Sequence, residues 1–259
     1  MTPHGPLAGR TIVVTRPVDR SERFVDLLGT RGATVIAAPS IELKPVRSAE
    51  LTRALRDLAA GGFAWIVLTS PATVRMLDER LAGSNEVRAS VAAIGEGTAA
   101  AYARWAAREP ELLPKTFTVE RLARAFPRGE GRVLCARADI APDGLEDALA
   151  AKGWSPTRVD AYRTVFPKTL PRAVTSALAA GDVDAITFTS ASTVRGFTHA
   201  LGATTVAGQP KVVCIGPVTA KQARDAGITV HAVADPHTTD GLVAALERAL
   251  KPRRRATRA

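Results

Sequence analysis

Apolar residues in this chain fall into short dense runs, separated by stretches in which they recur every three or four positions. Thr11–Thr15, Ala64–Thr69, Val91–Gly95, Ala185–Thr189 and Val212–Ile215 are the dense runs. Such continuous β-rich segments suit strands buried on both faces of a parallel sheet. Ala33–Pro39 reads as a further strand, and Glu42–Pro45 as extended, because Pro45 disfavours helix at Lys44. Between the strands the period lengthens. Ser21–Thr30 predicts a helix with Phe24, Val25, Leu27 and Leu28 on one face and Gly32 closing it. Further helices are predicted from Ser48 to Ala60, through Thr98, Tyr102 and Trp105, from Val119 to Phe126 after the cap Thr118, and from Gly241 to Leu250 after Thr238 or Thr239. Strands alternating with helices imply parallel sheets covered by helices on both faces.

The pattern occurs twice, at an offset of about 120 residues. Gly9-Arg10-Thr11-Ile12-Val13-Val14-Thr15-Arg16 returns as Gly131-Arg132-Val133-Leu134-Cys135-Ala136-Arg137. Thr69-Ser70-Pro71-Ala72-Thr73-Val74-Arg75 returns as Thr189-Ser190-Ala191-Ser192-Thr193-Val194-Arg195. Ala93-Ile94-Gly95-Glu96-Gly97-Thr98-Ala99 matches Cys214-Ile215-Gly216-Pro217-Val218-Thr219-Ala220, and Thr118 with Leu122 matches Thr238 with Leu242. Stacking repeats have periods of ~20–50 residues, so each copy here is a domain-sized α/β unit. Two such units predict a cleft.

The matching segments are strand-to-helix turns. Ligands of open α/β sheets bind beyond the carboxyl ends of the strands, where helix N-termini offer free N–H groups and a positive dipole end. Thr69, Ser70, Thr98, Thr189, Ser190 and Thr219 place hydroxyls at these turns with little acid nearby, which suits an anionic ligand. Any one of them could be a helix cap and nothing more. Gly95 and Gly216 allow close backbone approach, or serve a tight turn. Neither a dinucleotide fingerprint nor a phosphate-loop lysine is present. Arg16 and Arg137 end matching strands and could grip a carboxylate, or form a salt bridge. Arg75 and Arg195, deeper in their helices, read as surface or packing residues. Tyr162, in the extended stretch Arg158–Pro167, carries a phenol with ordinary pKa ~10 that could donate a proton to a departing oxygen, or simply pack.

Composition narrows the class. Of 259 residues 46% are hydrophobic and no run of ~18 apolar residues occurs, which describes a globular chain without a membrane span. The first residues lack the basic and apolar regions of a signal peptide, so the cytoplasm is the expected compartment. The net charge is +10, and Lys251, Arg253, Arg254, Arg255 and Arg258 concentrate much of it in a basic tail expected to be solvated. The remaining surplus favours capture of anions. Cys135 and Cys214 sit in apolar runs as core residues. His4, His199, His231 and His237 have no ligand-like spacing, so no metal is expected.

Val13-Val14-Thr15-Arg16-Pro17, Leu68-Thr69-Ser70, Ala93–Ala99, Asp160-Ala161-Tyr162-Arg163-Thr164, Phe188-Thr189-Ser190 and Cys214–Ala220 together resemble the uroporphyrinogen-III synthase family over roughly residues 9–250. The resemblance implies two similar flavodoxin-like parallel-sheet α/β domains joined by two extended linkers. The first domain would comprise 1–38 with 169–259, the basic tail starting near 251; the second 46–157; the linkers 39–45 and 158–168. It further implies a lyase (hydro-lyase) that needs neither cofactor nor metal. The enzyme would cyclise hydroxymethylbilane, a linear tetrapyrrole with eight carboxylates, to uroporphyrinogen III with inversion of ring D and loss of water. Tyr162 would assist departure of the hydroxyl. Arg16, Thr69, Ser70, Gly95, Thr98, Thr189, Ser190, Gly216 and Thr219 would bind substrate, although Val218 stands where many relatives have a polar residue. A monomer is expected, with no membrane or specific nucleic-acid partner, and a transient contact with hydroxymethylbilane synthase stays open. The alternative is a two-domain binder of an anionic small molecule without chemistry.

Overall fold

The computed structural model describes residues 5–18, 21–84 and 87–251, so the basic tail beyond Lys251 lies outside the described residues. From the N-terminal side the chain forms β1 (Thr11–Val14), α1 (Glu22–Gly29) and β2 (Thr34–Ala37). It continues through β3 (Glu42–Pro45), α2 (Ala49–Ala59), β4 (Trp65–Leu68), α3 (Pro71–Arg80), β5 (Ser90–Ala93), α4 (Glu96–Ala106), α5 (Val119–Ala125), β6 (Arg132–Ala138), α6 (Leu145–Ala150) and β7 (Ser155–Val165). The last part contains α7 (Arg172–Ala180), β8 (Ala185–Phe188), α8 (Ala191–Leu201), β9 (Lys211–Cys214), α9 (Pro217–Asp225), β10 (Ala232–Val233) and α10 (Thr239–Leu250). Two compact units result: one from the chain up to Glu42 and from Val165 onward, the other from Leu43–Thr164.

The first unit holds the sheet β10-β9-β8-β1-β2, all of whose neighbouring pairs are parallel. Counted along this unit alone the order is 2-1-3-4-5, the flavodoxin-like arrangement. Side chains alternate across the sheet as pleating requires. Val13, Ile186, Val212 and Cys214 enter one apolar cluster, and Ile12, Val14, Ala185 and Val213 the other. Helix α1 adds Phe24 and Leu28, four positions apart on one face.

The second unit holds β3-β7-β6-β4-β5, in which β7-β6, β6-β4 and β4-β5 are parallel. Leu112 adds a single parallel bridge to Ala92 of β5. Its two cores divide in the same way, with Ile66, Leu68, Leu134 and Ala136 on one face and Val67, Val133 and Cys135 on the other. Helix α2 shows how sequence dictates such packing. Ser48 caps it by accepting from Leu51 N–H at 3.0 Å, and Leu51, Ala54, Leu55 and Leu58 form its buried stripe.

The duplicated sequence maps onto the two sheets strand for strand. β9-β8-β1-β2 corresponds to β5-β4-β6-β7, and the short β10 beside β9 corresponds to the Leu112 bridge beside β5. Yet neither sheet is built from one copy. The opening β1-α1-β2 of the first copy pairs with β8 of the second, and the opening β6-α6-β7 of the second pairs with β4 of the first. The copies have exchanged their first strand–helix–strand segments.

The segments 39–45 and 158–168, expected as linkers, are largely bonded into the units. Glu42–Pro45 is an edge strand beside β7, and β7 itself runs on to Val165. A bare crossing segment would leave its N–H and C=O groups to water, whereas neighbouring strands satisfy each other. Ser40 is fully buried, with its Oγ 3.0 and 2.9 Å from the carbonyl oxygens of Thr15 and Thr193. Gly196 makes room for it, since a Cβ there would come 1.8 Å from the Ser40 carbonyl oxygen.

Candidate active site

In each sheet the order reverses once, and the crevice at that point lies between the carboxyl ends of two strands. In the second unit these are β4 and β6, from which the chain departs in opposite directions to β5 and β7. In the first they are β8 and β1, leading to β9 and β2. Thr69 and Ser70 follow β4, and Arg137 stands near the end of β6; Thr189 and Ser190 follow β8, and Arg16 follows β1.

Ser70 caps α3, accepting from Thr73 N–H at 3.2 Å, with Pro71 in the first turn. Ser190 caps α8 in a reciprocal box: its Oγ accepts from Thr193 N–H at 3.1 Å, and its own N–H donates to Thr193 Oγ1 at 3.2 Å. Neither helix, nor α9, has an acid in its first turn, so the positive dipole ends stand uncompensated. Thr69, Ser70, Thr189 and Ser190 are half-buried. Thr98 and Thr219, expected to offer hydroxyls beside them, are instead only 3% and 4% exposed. They lie in the third helical positions of α4 and α9, on the side that packs against the core.

Tyr162 owes its direction to an irregularity in β7. Ala136 pairs with Val159 and Arg137 with Asp160, but Ala138 pairs with Tyr162, so Ala161 has no opposite number. Because of this bulge, Ala161 and Tyr162 both pack on the apolar cluster of Leu68, Val74, Leu134 and Ala136, although neighbours in a regular strand point to opposite faces. The phenol thereby reaches the β4–α3 turn, 2.9 Å from Ser70 Oγ. Burial pushes its pKa above the ordinary value; the Ser70 hydrogen bond lowers it, the Asp139 charge raises it and Arg75 lowers it. The group therefore keeps its proton at neutral pH. Arg75, expected to be a surface or packing residue, is exposed but near enough for its charge to act on the phenol.

The two arginines that end matching strands have different environments. Arg137 is 1% exposed, and its Nη1 donates to both oxygens of Glu146 at 2.9 and 3.1 Å while its Nε has no partner. Its charge is neutralised by that pair. Arg16 is half-buried, its guanidinium 5.7 Å from the centre of the Phe24 ring and its Nη1 donating to Thr239 Oγ1 at 3.3 Å. Burial lowers its pKa, and among the described residues no carboxylate pairs with it.

Gly95 and Gly216 cap α4 and α9 with extended backbone. A Cβ at Gly95 would come 3.1 Å from the Phe117 ring, and one at Gly216 would come 3.6 Å from the ring of His237. Phe117 and His237 are repeat counterparts, each just before a threonine cap. His237 Nδ1 lies 2.7 Å from the Ala234 carbonyl oxygen. A carbonyl only accepts, so Nδ1 carries the proton and Nε2 is left for another partner. His237 lacks metal-ligand spacing, and its place opposite Phe117 in the repeat is the sequence signal that marks it. Cys135 and Cys214 are buried, and burial pushes both thiols up to about 12.

A family profile described as uroporphyrinogen-III synthase HemD matches residues 22–244. The chain belongs to the uroporphyrinogen-III synthase family. A uroporphyrinogen-III synthase from Synechococcus elongatus is 29% identical, covering 93% of this chain and 96% of that protein. A putative uroporphyrinogen-III synthase from Methanothermobacter thermautotrophicus is 31% identical, covering 91% and 96%. The solved mutant uroporphyrinogen III synthase of the extremely thermophilic bacterium Thermus thermophilus shares the fold with a TM-score of 0.66 at 24% identity, over 93% of this chain and 98% of that one. As a member of this family the chain acts on a small molecule, and no helix among the described residues is long and apolar enough to cross a membrane.

Proposed function

We propose that this chain is a lyase that closes hydroxymethylbilane to uroporphyrinogen III, with Tyr162 as the proton donor. The observation that carries the chemical assignment is the 2.9 Å approach of the Tyr162 hydroxyl to Ser70 Oγ at the mouth of the β4–β6 crevice. Family membership supplies the reaction. Departure of the substrate hydroxyl breaks a C–O bond, and the oxygen keeps the electron pair. A proton from the phenol converts it to water and leaves a tyrosinate and an azafulvenium cation. The terminal pyrrole ring attacks that cation through its substituted carbon. The spiro intermediate opens and recloses with the ring inverted, and the ring proton finally lost restores the phenol. The balance is one substrate to one product and one water.

Positioning carries the specificity, because the linear substrate closes unaided without inversion. Carboxylates of the substrate are assigned to the hydroxyls of Thr69, Ser70, Thr189 and Ser190, to Arg16, and to the backbone N–H groups that follow Gly95 and Gly216. Helix N-termini without neighbouring acid favour such anions. Thr98 and Thr219, being buried, are given the lesser part of shaping the first turns of their helices. The same reading has the chain acting as a monomer in the cytoplasm, without cofactor or metal, on substrate passed from a hydroxymethylbilane synthase.

The test is the isomer composition of the product. Fresh hydroxymethylbilane, closed with and without the protein and then oxidised, should give mostly type III uroporphyrin in its presence. Type I product from a folded sample would overturn the assignment and leave a binder of anionic tetrapyrroles.

A further inference from the structure

Strand β6 ends at Ala138, one residue short of Asp139, while its partner β7 continues to Val165. Past Tyr162 the ladder therefore lacks an acceptor. Asp139 supplies it: its backbone N–H donates to the Tyr162 carbonyl at 3.1 Å, and its Oδ1 accepts from Thr164 N–H at 2.9 Å. One residue thus holds β7 at Tyr162 and again two positions later, directly after the bulge that turns the phenol towards Ser70. Among the described residues of the other unit, no carboxylate is bonded to the matching strand β2. When the copies are aligned on Arg16 and Arg137, Asp139 falls opposite Val18, an exposed apolar residue.

We propose that Asp139 is a positioning residue for Tyr162, clamping β7 behind the phenol and setting one carboxylate charge beside it. The proposal rests on the reading of Tyr162 as proton donor. The groups that bear on the phenol are Ser70 and Arg75 from the β4–α3 segment and Asp139 from the end of β6, and the ring packs on the apolar cluster of Leu68, Val74 and Leu134. Arg163, with Nε 3.9 Å from Asp139 Oδ2, is itself largely exposed and leaves most of that charge uncompensated. The Asp139 charge raises the pKa of the phenol and Arg75 opposes it. Burial is the main cause of the raised phenol pKa, and the Asp139 charge adds to it in the same direction.

Asp139→Asn and Asp139→Ala separate these two effects. Asparagine keeps a side-chain oxygen for Thr164 N–H and removes the charge; alanine removes both. The titration of Tyr162 can be read by 19F NMR with 3-fluorotyrosine at both tyrosines, assigned with Tyr162→Phe. The Tyr162 midpoint should move to lower pH in both variants. The kcat for type III product should stay within ~3-fold of wild type in Asp139→Asn and fall ~10-fold in Asp139→Ala, with KM within ~2-fold in each, as expected of a misplaced donor. An unmoved midpoint in a folded Asp139→Asn protein overturns the proposal. So does wild-type kcat in a folded Asp139→Ala protein, or a fall in thermal stability as the sole effect. If Asp139→Ala does not fold, Asp139→Asn decides alone. Absence of type III product from the wild type would fail the functional reading instead, and the midpoint would still report the effect of the Asp139 charge on the phenol.

Discussion

The Tyr162 hydroxyl lies 2.9 Å from the Oγ of Ser70, although the two residues are 92 positions apart. One is delivered by a bulge in β7 and the other by the cap of α3. Neither feature would bring them together alone, and both depend on β6 and β4 being neighbours.

Tyr162→Phe tests the donor directly. The ring keeps its packing and only the hydroxyl is lost, so the thermal midpoint should change little. The kcat for type III product should fall ~100-fold, the lower end of the range for loss of a general acid, with KM nearly constant. Steady-state kinetics with isomer analysis checks both. A loss in KM alone would assign Tyr162 to binding.

Ser70→Ala and Ser190→Ala form a matched pair. Each removes a helix cap worth ~1 kcal/mol, so both thermal midpoints should fall by a similar few degrees. Only Ser70 also touches Tyr162. Its hydrogen bond lowers the phenol pKa, so its removal should move the Tyr162 titration upward and reduce kcat. Ser190→Ala should raise KM and leave kcat near wild type. Equal effects on kcat would show that the Tyr162 contact has no bearing on the reaction.

Much of this arrangement was legible in the sequence because strand–turn–helix units declare themselves locally. Thr11–Val14, Trp65–Leu68 and Ala185–Phe188 are continuous apolar runs, and the caps Ser70, Thr118 and Ser190 lie where the pattern predicts them. The illegible parts are non-local or short. The pairing of β1 with β8 is a choice between two similar partners that the repeat itself makes ambiguous. β10 has two residues, too few for a periodic signal, and α6 begins after Gly144 without a side-chain cap. The bulge beside Ala161 depends on where β6 ends, which Tyr162 and its neighbours do not encode. Burial of Thr98 and Thr219 follows from helix rotation, whereas the turn motif reveals only their positions.

Gly95→Ala and Gly216→Ala should differ although the two turns match in sequence. Both residues have extended backbone that alanine can adopt, so the outcome depends on space. At Gly95 the new methyl meets Phe117 at 3.1 Å, and the ring must give way; at Gly216 it meets His237 at 3.6 Å, an ordinary contact. Gly95→Ala should cost about 1–3 kcal/mol, in the range for overpacking. Gly216→Ala should stay within about 0.5 kcal/mol, as for a substitution that disturbs no packing. Urea unfolding monitored by circular dichroism measures both, and equal costs would remove Phe117 as the cause.

Four acids are expected to govern alkaline stability: the buried Tyr102, Cys135 and Cys214 and the half-buried Tyr162. Burial raises the pKa values of Tyr102 and Tyr162 and pushes Cys135 and Cys214 from 9.0 up to about 12. The folded chain therefore binds more protons than the unfolded chain once the pH exceeds the unfolded thiol value. Stability falls with rising pH wherever the native state holds the extra protons, so the loss should begin near pH 9 and continue towards 12. Thermal midpoints should be level between pH 7 and 8 and decline progressively above 9, and Cys135→Ala with Cys214→Ala should reduce the slope of that decline. Iodoacetamide should leave both thiols unmodified in the native state at pH 8, because burial disfavours the reactive thiolate. A slope unchanged by the double substitution would assign the alkaline loss to other groups.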